Sequence, residues 1–304
     1  MKVLVIGGTG RIGHFVLQQL DKAGYEYKVL CRKLTPDIDE ARFIKGDITD
    51  YKIVESATKG IDAIALLAAY AWDYPPVYSN PPGYAQMWNV NLTGPFNVLE
   101  AAVKNNVNKL VFASSACAVG FMTWGDSHEI EYFPVDEKHP CRPYSLYGAG
   151  KLMIEQLCYM YTKKFGIKTI CLRIGTSWYP PKYHEEMTTM FRENMIKMSN
   201  REPLDGSRRD QAWYYVGVED VAQAFLLALK NEKIEYGIYN IGADESGSDL
   251  DSLEIVRLYF PGVPVKNPEL FLAEKKKPLY DITKAQRELG YRPKFHWKDW
   301  GKQG

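Results

Sequence analysis

Lys2-Val3-Leu4-Val5-Ile6-Gly7-Gly8-Thr9-Gly10-Arg11-Ile12-Gly13 opens the chain and decides how the rest is read. Val3 to Ile6 has the composition of a buried strand. Ile12, Phe15, Val16, Leu20 and Ala23 then recur at helical spacing, and Gly24 stands where a C-cap belongs. The glycines therefore lie between a strand and a helix. There they permit a tight turn and let the backbone approach a pyrophosphate, whose charge is favoured by the free N–H groups and dipole at a helix start. A bare strand-to-helix connection also uses glycine, but the G-x-x-G-x-x-G spacing with these flanks predicts a dinucleotide turn. Its expected contacts are Gly7, Gly10, Arg11, Ile12 and Gly13.

Outward from this turn the pattern repeats. Strands are expected over about 27–31, 42–45, 63–68, 109–113 and 168–173, with a long helical stretch over 83–105 that Pro95 kinks and another helix over 147–165 closed by Gly166. Strands alternating with helices make a parallel sheet with helices on both faces. The fold class expected is α/β, a doubly wound parallel sheet of the Rossmann type with a smaller, interleaved C-terminal substrate lobe. After Thr176 the alternation breaks down. Tyr179-Pro180-Pro181 and the polar run Ser199 to Gln211 read as lobe or loop, while Asp220 to Leu229 returns to helix and Gly237 to Ile241 to strand. Pro261, Pro264, Pro268 and Pro278 punctuate short helices in a separate cap. The expected division is 1–175 plus 213–242 for the nucleotide half, and 176–212 plus 243–304 for the lobe.

Composition narrows the function. The 304 residues are 46% hydrophobic and 25% charged, as in a globular protein, and the formal net charge of +1 lacks the basic excess of a nucleic-acid binder. The longest apolar run, Ala63 to Trp72, is about half the roughly 20 residues a membrane span needs. Lys2 to Ile6 runs straight into glycines without the plan of a secretory signal, so a cytoplasmic location is expected. Cys31, Cys117, Cys141, Cys158 and Cys171 form an odd set with no C-x-x-C pair, which signals neither a disulfide framework nor a zinc site; no metal is expected.

The end of the second strand bears on the cofactor. An acid there would bind the ribose 2′-OH of NAD, whereas an arginine accommodates the 2′-phosphate of NADP. The chain has Cys31-Arg32-Lys33, with no acid until Asp37, so NADP is the preferred reading and NAD the alternative. Asp47, followed by Ile48, is placed to meet the adenine edge, or is a plain helix cap.

Tyr147 and Lys151 stand four residues apart on one helix face, and Ser115 ends the fifth strand, five residues before Gly120. With Asn91-Leu92-Thr93-Gly94, Leu172-Arg173 and Val218-Glu219-Asp220-Val221, these motifs resemble the extended short-chain dehydrogenase/reductase superfamily, the NAD-dependent epimerases and dehydratases, over most of the chain. The resemblance implies catalytic roles for three residues. Tyr147 would be the general acid/base, and Lys151 would lower its phenol pKa by charge and hold the nicotinamide ribose. Ser115, rather than Ser114, would hydrogen-bond the reacting oxygen. The resemblance also places Ala68, Ala69 and Asn91 beside the cofactor, and implies a homodimer through the helices 89–104 and 147–165.

The substrate is less constrained. Arg173-Ile174-Gly175-Thr176 replaces the R-P-x-N-like run of nucleotide-sugar epimerases, and Trp213 stands where their pyrophosphate-binding arginine falls, with Arg208 and Arg209 upstream. The run around Tyr147 and Thr176 is more similar to uronate dehydrogenases, in which Thr176 would match a substrate-binding serine. Their carboxylate-binding arginine falls at about Glu185, leaving Lys182 or His184 as the available cation. Tyr70, Ser115, Ala116, Tyr147, Thr176 and Arg209 are the expected substrate contacts, and aromatic residues after the fourth to sixth strands (Tyr70, Trp72, Tyr74, Tyr78, Trp88, Trp124, Trp178, Tyr179, Tyr183) suit a sugar or simply pack a lobe. The reading is an NAD(P)-dependent oxidoreductase moving a hydride to or from a carbonyl or secondary alcohol of a sugar-like small molecule. The alternatives are a nucleotide-sugar 4-epimerase or dehydratase with tightly held NAD, and a non-catalytic NADP-sensing protein.

Overall fold

The computed structural model describes residues 1–36, 38–70, 82–120, 130–203 and 213–300, with the backbone alone at 82, 181, 182 and 184–188. By its internal packing the chain divides into two compact units. The first comprises Met1–Ser114, Ser145–Leu172 and Ala222–Ile238; the second comprises Ser115–Tyr144, Arg173–Val221 and Tyr239–Gly304.

Strands β1 (Lys2–Ile6), β2 (Glu26–Cys31), β3 (Phe43–Lys45), β4 (Ala63–Leu66), β5 (Lys109–Ser115), β6 (Lys168–Ile174) and β9 (Tyr236–Ile241) make one sheet in the order β3-β2-β1-β4-β5-β6-β9. β1 pairs in parallel with β2 and β4, with Val5 opposite Val29 and Ala65, and β4 pairs in parallel with β5. The strand order reverses between β1 and β4, and a doubly wound sheet binds ligand at the carboxyl ends there. The central strands are buried on both faces, which is why they read as continuous apolar runs. Val3, Leu4, Val5, Ala63, Ile64 and Leu110 are fully enclosed.

Helices α1 (Arg11–Lys22), α2 (Tyr51–Ala57), α4 (Gly94–Lys104) and α5 (Leu146–Phe165) flank the sheet of the first unit. Ser145 caps α5 by accepting from the Gly148 N–H (3.0 Å), and Gly166 ends it in the left-handed conformation. Lys109, buried at the start of β5, donates to the carbonyls of Leu229 and Asn231 (both 2.7 Å), closing the end of α7 (Val218–Lys230).

The expected long helix over 83–105 is interrupted. It is α3 (Pro82–Trp88), a π-helical turn over Asn89–Thr93, and then α4, with Pro95 in the first turn. Pro95 has no N–H to continue the ladder, so the wider turn precedes it and the Gly94 N–H reaches back to the Asn89 carbonyl.

The second unit is less regular. β7 (Thr176–Trp178) pairs in parallel with β8 (Tyr215–Gly217), and α6 (Pro181–Ser199) follows where the proline run suggested loop. Pro181 occupies the first turn of that helix, where a missing N–H costs nothing. Of the polar run from Ser199 to Gln211, residues 204–211 lie outside the described ones. Short helices α8 (Ser252–Tyr259), α9 (Pro268–Ala273) and α10 (Thr283–Glu288) complete the unit. The segment 130–144 also belongs to it, through single bridges from Phe133 to Val265 and from Val135 to Tyr280. Among the described residues no helix is long and apolar enough to cross a membrane.

Candidate active site

The glycine turn has the geometry its sequence demands. Gly7 has a φ of +91°, and a Cβ there would lie 2.6 Å from the Ala68 nitrogen. A Cβ on Gly13 would lie 2.4 Å from the Gly7 carbonyl oxygen and 2.7 Å from Gly8. The turn thus closes on itself and against the end of β4, bringing Ala68 to Gly7. Gly10 is the N-cap of α1; no side chain caps the helix and no acid stands in its first turn. Uncapped N–H groups and an open dipole are what a pyrophosphate needs, so these residues fit a dinucleotide.

At the end of β2, Cys31 is turned toward the glycine loop, its Sγ accepting from the Thr9 N–H (3.4 Å). Arg32 and Lys33 beyond it are exposed, and neither has an ion-pair partner among the described residues. After β3, Asp47 accepts from both the N–H and the hydroxyl of Thr49 (2.9 and 2.8 Å), so one of its oxygens shapes its own turn. Ile48 is buried beneath Gly94, where a Cβ would meet its Cγ2 at 2.7 Å. Asn97 of α4 donates to the carbonyls of Ile48 and Thr49 (3.2 and 3.1 Å) and fastens this loop. Sequence reading missed Asn97; a polar residue on a helix stretch that is otherwise apolar was the available signal.

Asn91, 4% exposed in the π-helical turn, grips one residue at both ends of its amide. Its Oδ1 accepts from the Tyr70 N–H (2.7 Å) and its Nδ2 donates to the Tyr70 carbonyl (3.3 Å). Asn91 therefore sets the course of the chain through Ala68, Ala69 and Tyr70 just beyond β4. Gly150 of α5 faces this turn, where a Cβ would stand 3.9 Å from that of Asn91, an ordinary van der Waals separation.

Lys151 is 3% exposed, and its Nζ donates to the Ala113 carbonyl (2.6 Å). The same Nζ lies 4.7 Å from the Phe112 ring centroid and 5.3 Å from that of Tyr147. One turn of α5 thus brings the ammonium beside the half-buried phenol, and β5 pins it there. A buried cation has a strong field on a neighbouring phenol because little water intervenes to screen it.

The two serines that end β5 differ. Ser114 is buried and donates to Glu155 Oε1 of α5 (2.6 Å), so its hydroxyl is already committed. Ser115 is half-buried, extended (φ −150°, ψ 152°), and accepts from the Cys117 N–H (3.2 Å), capping the short turn Ala116–Ala118. Glu155 is a second residue sequence reading missed, although it continues the four-residue spacing of Tyr147 and Lys151.

In the second unit, the Thr176 N–H donates to the Tyr214 carbonyl (3.0 Å), and its hydroxyl is enclosed without a partner among the described residues. Trp213 is 1% exposed and packs edge-on against Phe133 at 5.3 Å. Arg208, Arg209, Trp72, Tyr74, Tyr78 and Trp124 lie outside the described residues, as do the side chains of Lys182, His184 and Glu185.

Known proteins supply the frame for this geometry. Residues 3–242 match the family model described as the NAD dependent epimerase/dehydratase family. A UDP-glucose 4-epimerase of Lactobacillus helveticus is 30% identical, covering 97% of this chain and 92% of its own. The crystal structure of a Thermus thermophilus UDP-glucose 4-epimerase in complex with NAD superposes with a TM-score of 0.67 at 27% identity, covering 97% of this chain and 94% of that one. A uronate dehydrogenase of Pseudomonas putida is 27% identical over a shorter stretch, 60% of this chain and 63% of its own. With the glycine turn, the buried lysine and these likenesses together, the chain belongs to the NAD-dependent epimerase/dehydratase family and is an NAD(P)-dependent enzyme of the extended short-chain dehydrogenase/reductase superfamily.

Proposed function

We propose that this enzyme interconverts a secondary alcohol and a carbonyl on a sugar-like small molecule, with Tyr147 moving the proton. The observation that carries the reading is the buried Lys151 ammonium, pinned to the Ala113 carbonyl at 2.6 Å and facing the Tyr147 ring. A bound nicotinamide supplies the hydride acceptor or donor. In the oxidative direction the Tyr147 phenolate takes the alcohol proton, Lys151 stabilises that phenolate, and Ser115 donates to the oxygen on which charge changes. Thr176 and Tyr70 meet substrate hydroxyls in this reading, alongside Ala116 and Arg209.

A free sugar or polyol is favoured over a nucleotide sugar by Trp213. It occupies the position of the expected pyrophosphate-binding arginine, and an indole enclosed in an apolar cluster offers no charge to a diphosphate. The second reading, a nucleotide-sugar 4-epimerase, draws its support from the near full-length likeness to UDP-glucose 4-epimerases. NADP is the preferred cofactor because Arg32 and Lys33 stand exposed at the end of β2. A homodimer is supported by Phe96 of α4 and Met153 and Met160 of α5, which are exposed apolar residues on the expected pairing helices. Light scattering showing the mass of a single chain would remove that part of the proposal.

The function is tested by following NADPH absorbance over a panel of free sugars, uronates and UDP-sugars, with any co-purified nucleotide identified. Net reduction of NADP by a free sugar is the expected result, and Tyr147→Phe is expected to lower kcat by about 10²- to 10⁴-fold. Epimerisation of a UDP-sugar without net NADPH formation would establish the second reading instead. Arg32→Asp is expected to shift the ratio of kcat/KM from NADP toward NAD; an unchanged ratio would remove the assignment of the 2′-phosphate.

A further inference from the structure

Two consecutive residues at the end of β5 are tied to one face of α5. The Ala113 carbonyl accepts from Lys151 and the Ser114 hydroxyl donates to Glu155, each at 2.6 Å. Tyr147, Lys151 and Glu155 recur every four residues, so they lie one above another along the helix. Glu155 is fully buried. Burial strips a carboxyl group of its water, and an apolar side chain would fill the seam between helix and sheet without that loss. What the carboxylate adds is direction. A hydroxyl donating to a fixed acceptor holds its own χ1 and the roll of the strand beneath it.

That roll matters for the next residue. Successive side chains of a strand leave on opposite faces, so a strand clamped at position 114 also has its 115 side chain set. Ser115 still has extended backbone angles and begins the following turn with its own hydroxyl. We propose that Glu155 is a positioning residue for catalysis. Through Ser114 it locks the end of β5, and so fixes the direction of the Ser115 hydroxyl while Lys151 holds the preceding carbonyl. This rests on the roles assigned above to Ser115, Tyr147 and Lys151.

The test compares Ser114→Ala, Glu155→Gln and Glu155→Leu, each alone and with Ser115→Ala, measuring kcat, KM, cofactor affinity and melting temperature. Ser114→Ala and Glu155→Leu are expected to lower kcat about 10- to 100-fold with KM and cofactor affinity nearly unchanged, the size of loss that follows a misplaced catalytic group. Glu155→Gln keeps an acceptor oxygen for Ser114 and is expected to retain most of kcat. In the Ser115→Ala background the Ser114→Ala change is expected to cost nothing further, since its effect passes through Ser115. Full additivity of the two serine changes, or an unchanged kcat in Ser114→Ala, overturns the proposal. Should Glu155→Leu fail to fold, the serine cycle decides alone. Tyr147→Phe run in parallel separates the two levels: an active Tyr147→Phe enzyme overturns the site reading itself, whereas an inactive one beside an unaffected Ser114→Ala enzyme overturns the positioning role only.

Discussion

The two units of this chain solve the same problem, burying backbone, by different means. The first has a largely aliphatic core that includes Leu4, Ile6, Leu30, Ile64, Leu66 and Leu110, laid on the parallel strands of one sheet. The second has an aromatic core with Trp178, Trp213, Phe133, Phe191, Tyr215 and Tyr280, and its strands are only three residues long at β7 and β8. Where the ladder is short, side chains take over. Asn240 donates to the carbonyls of Val135 and Asp281, Tyr280 to that of Arg173, and Tyr291 to that of Gly242. Asp220 accepts from the N–H groups of Lys294 and Phe295. Buried peptide groups must be paired, so an irregular unit requires specific polar residues at specific places. The regular unit needs them at the ends of its strands and helices, where Asn91, Asn97, Lys109 and Lys151 pair backbone groups in the same way.

Gly7 is the position in the first unit where a side chain would meet both a left-handed backbone and a backbone clash. Gly7→Ala adds a left-handed backbone penalty of about 1–2 kcal/mol and an overpacking penalty of about 1–3 kcal/mol against Ala68. Denaturant unfolding is expected to show that loss, and titration with NADP to show at least about a tenfold weaker affinity. Unchanged affinity would mean the turn does not cradle the pyrophosphate. The counterpart in the second unit is Gly175, where a Cβ would fall 2.0 Å from the Tyr214 carbonyl oxygen. Gly175→Ala is expected to cost about 1–3 kcal/mol. Hydrogen exchange should place the lost protection in the second unit, and equal loss throughout β1 and β4 would break the distinction between the units.

The smallest effect sharpens the contrast by pH. Burial holds the Glu137 carboxyl above its ordinary value, although its side chain accepts from the Asn240 N–H at 2.9 Å. The folded unit therefore keeps a proton that the unfolded chain releases, and its stability falls as pH rises from the ordinary carboxylate range through the raised value. Glu137→Gln removes that slope. Its melting temperature is expected to exceed that of the unsubstituted protein at pH 7, with the gain shrinking toward pH 4. A pH-independent difference between the two proteins would assign the effect to packing.

Much of the first unit was legible in the amino-acid sequence because its signals are local. β1, β2, β5 and β6 lie within a residue or two of the expected strands, and α5 begins at its serine cap and ends at its glycine. Helix α6 was not legible, since Pro180-Pro181 reads as a breaker unless the second proline is recognised as a first-turn residue. Phe191, Met195 and Met198, buried at helical spacing, were the remaining signal. At the candidate site, Tyr147, Lys151 and Ser115 stood out by spacing and order, whereas Asn97, Ser114 and Glu155 are ordinary residues until their partners are seen.

Features that depend on neighbours along the chain are written in the residues directly: the glycines a tight turn demands, the periodicity of strand and helix, and the four-residue spacing of Tyr147 and Lys151. Tertiary structure alone decided which polar groups meet. Glu155 finds Ser114 across 41 residues, Lys109 finds Leu229 across 120, and Asn240 finds Val135 across 105. The reason is physical. Dihedral preference and apolar periodicity act within a few residues, but a buried hydrogen bond is specified by layers of the fold that pack together, and no local stretch of chain encodes where the other layer will be.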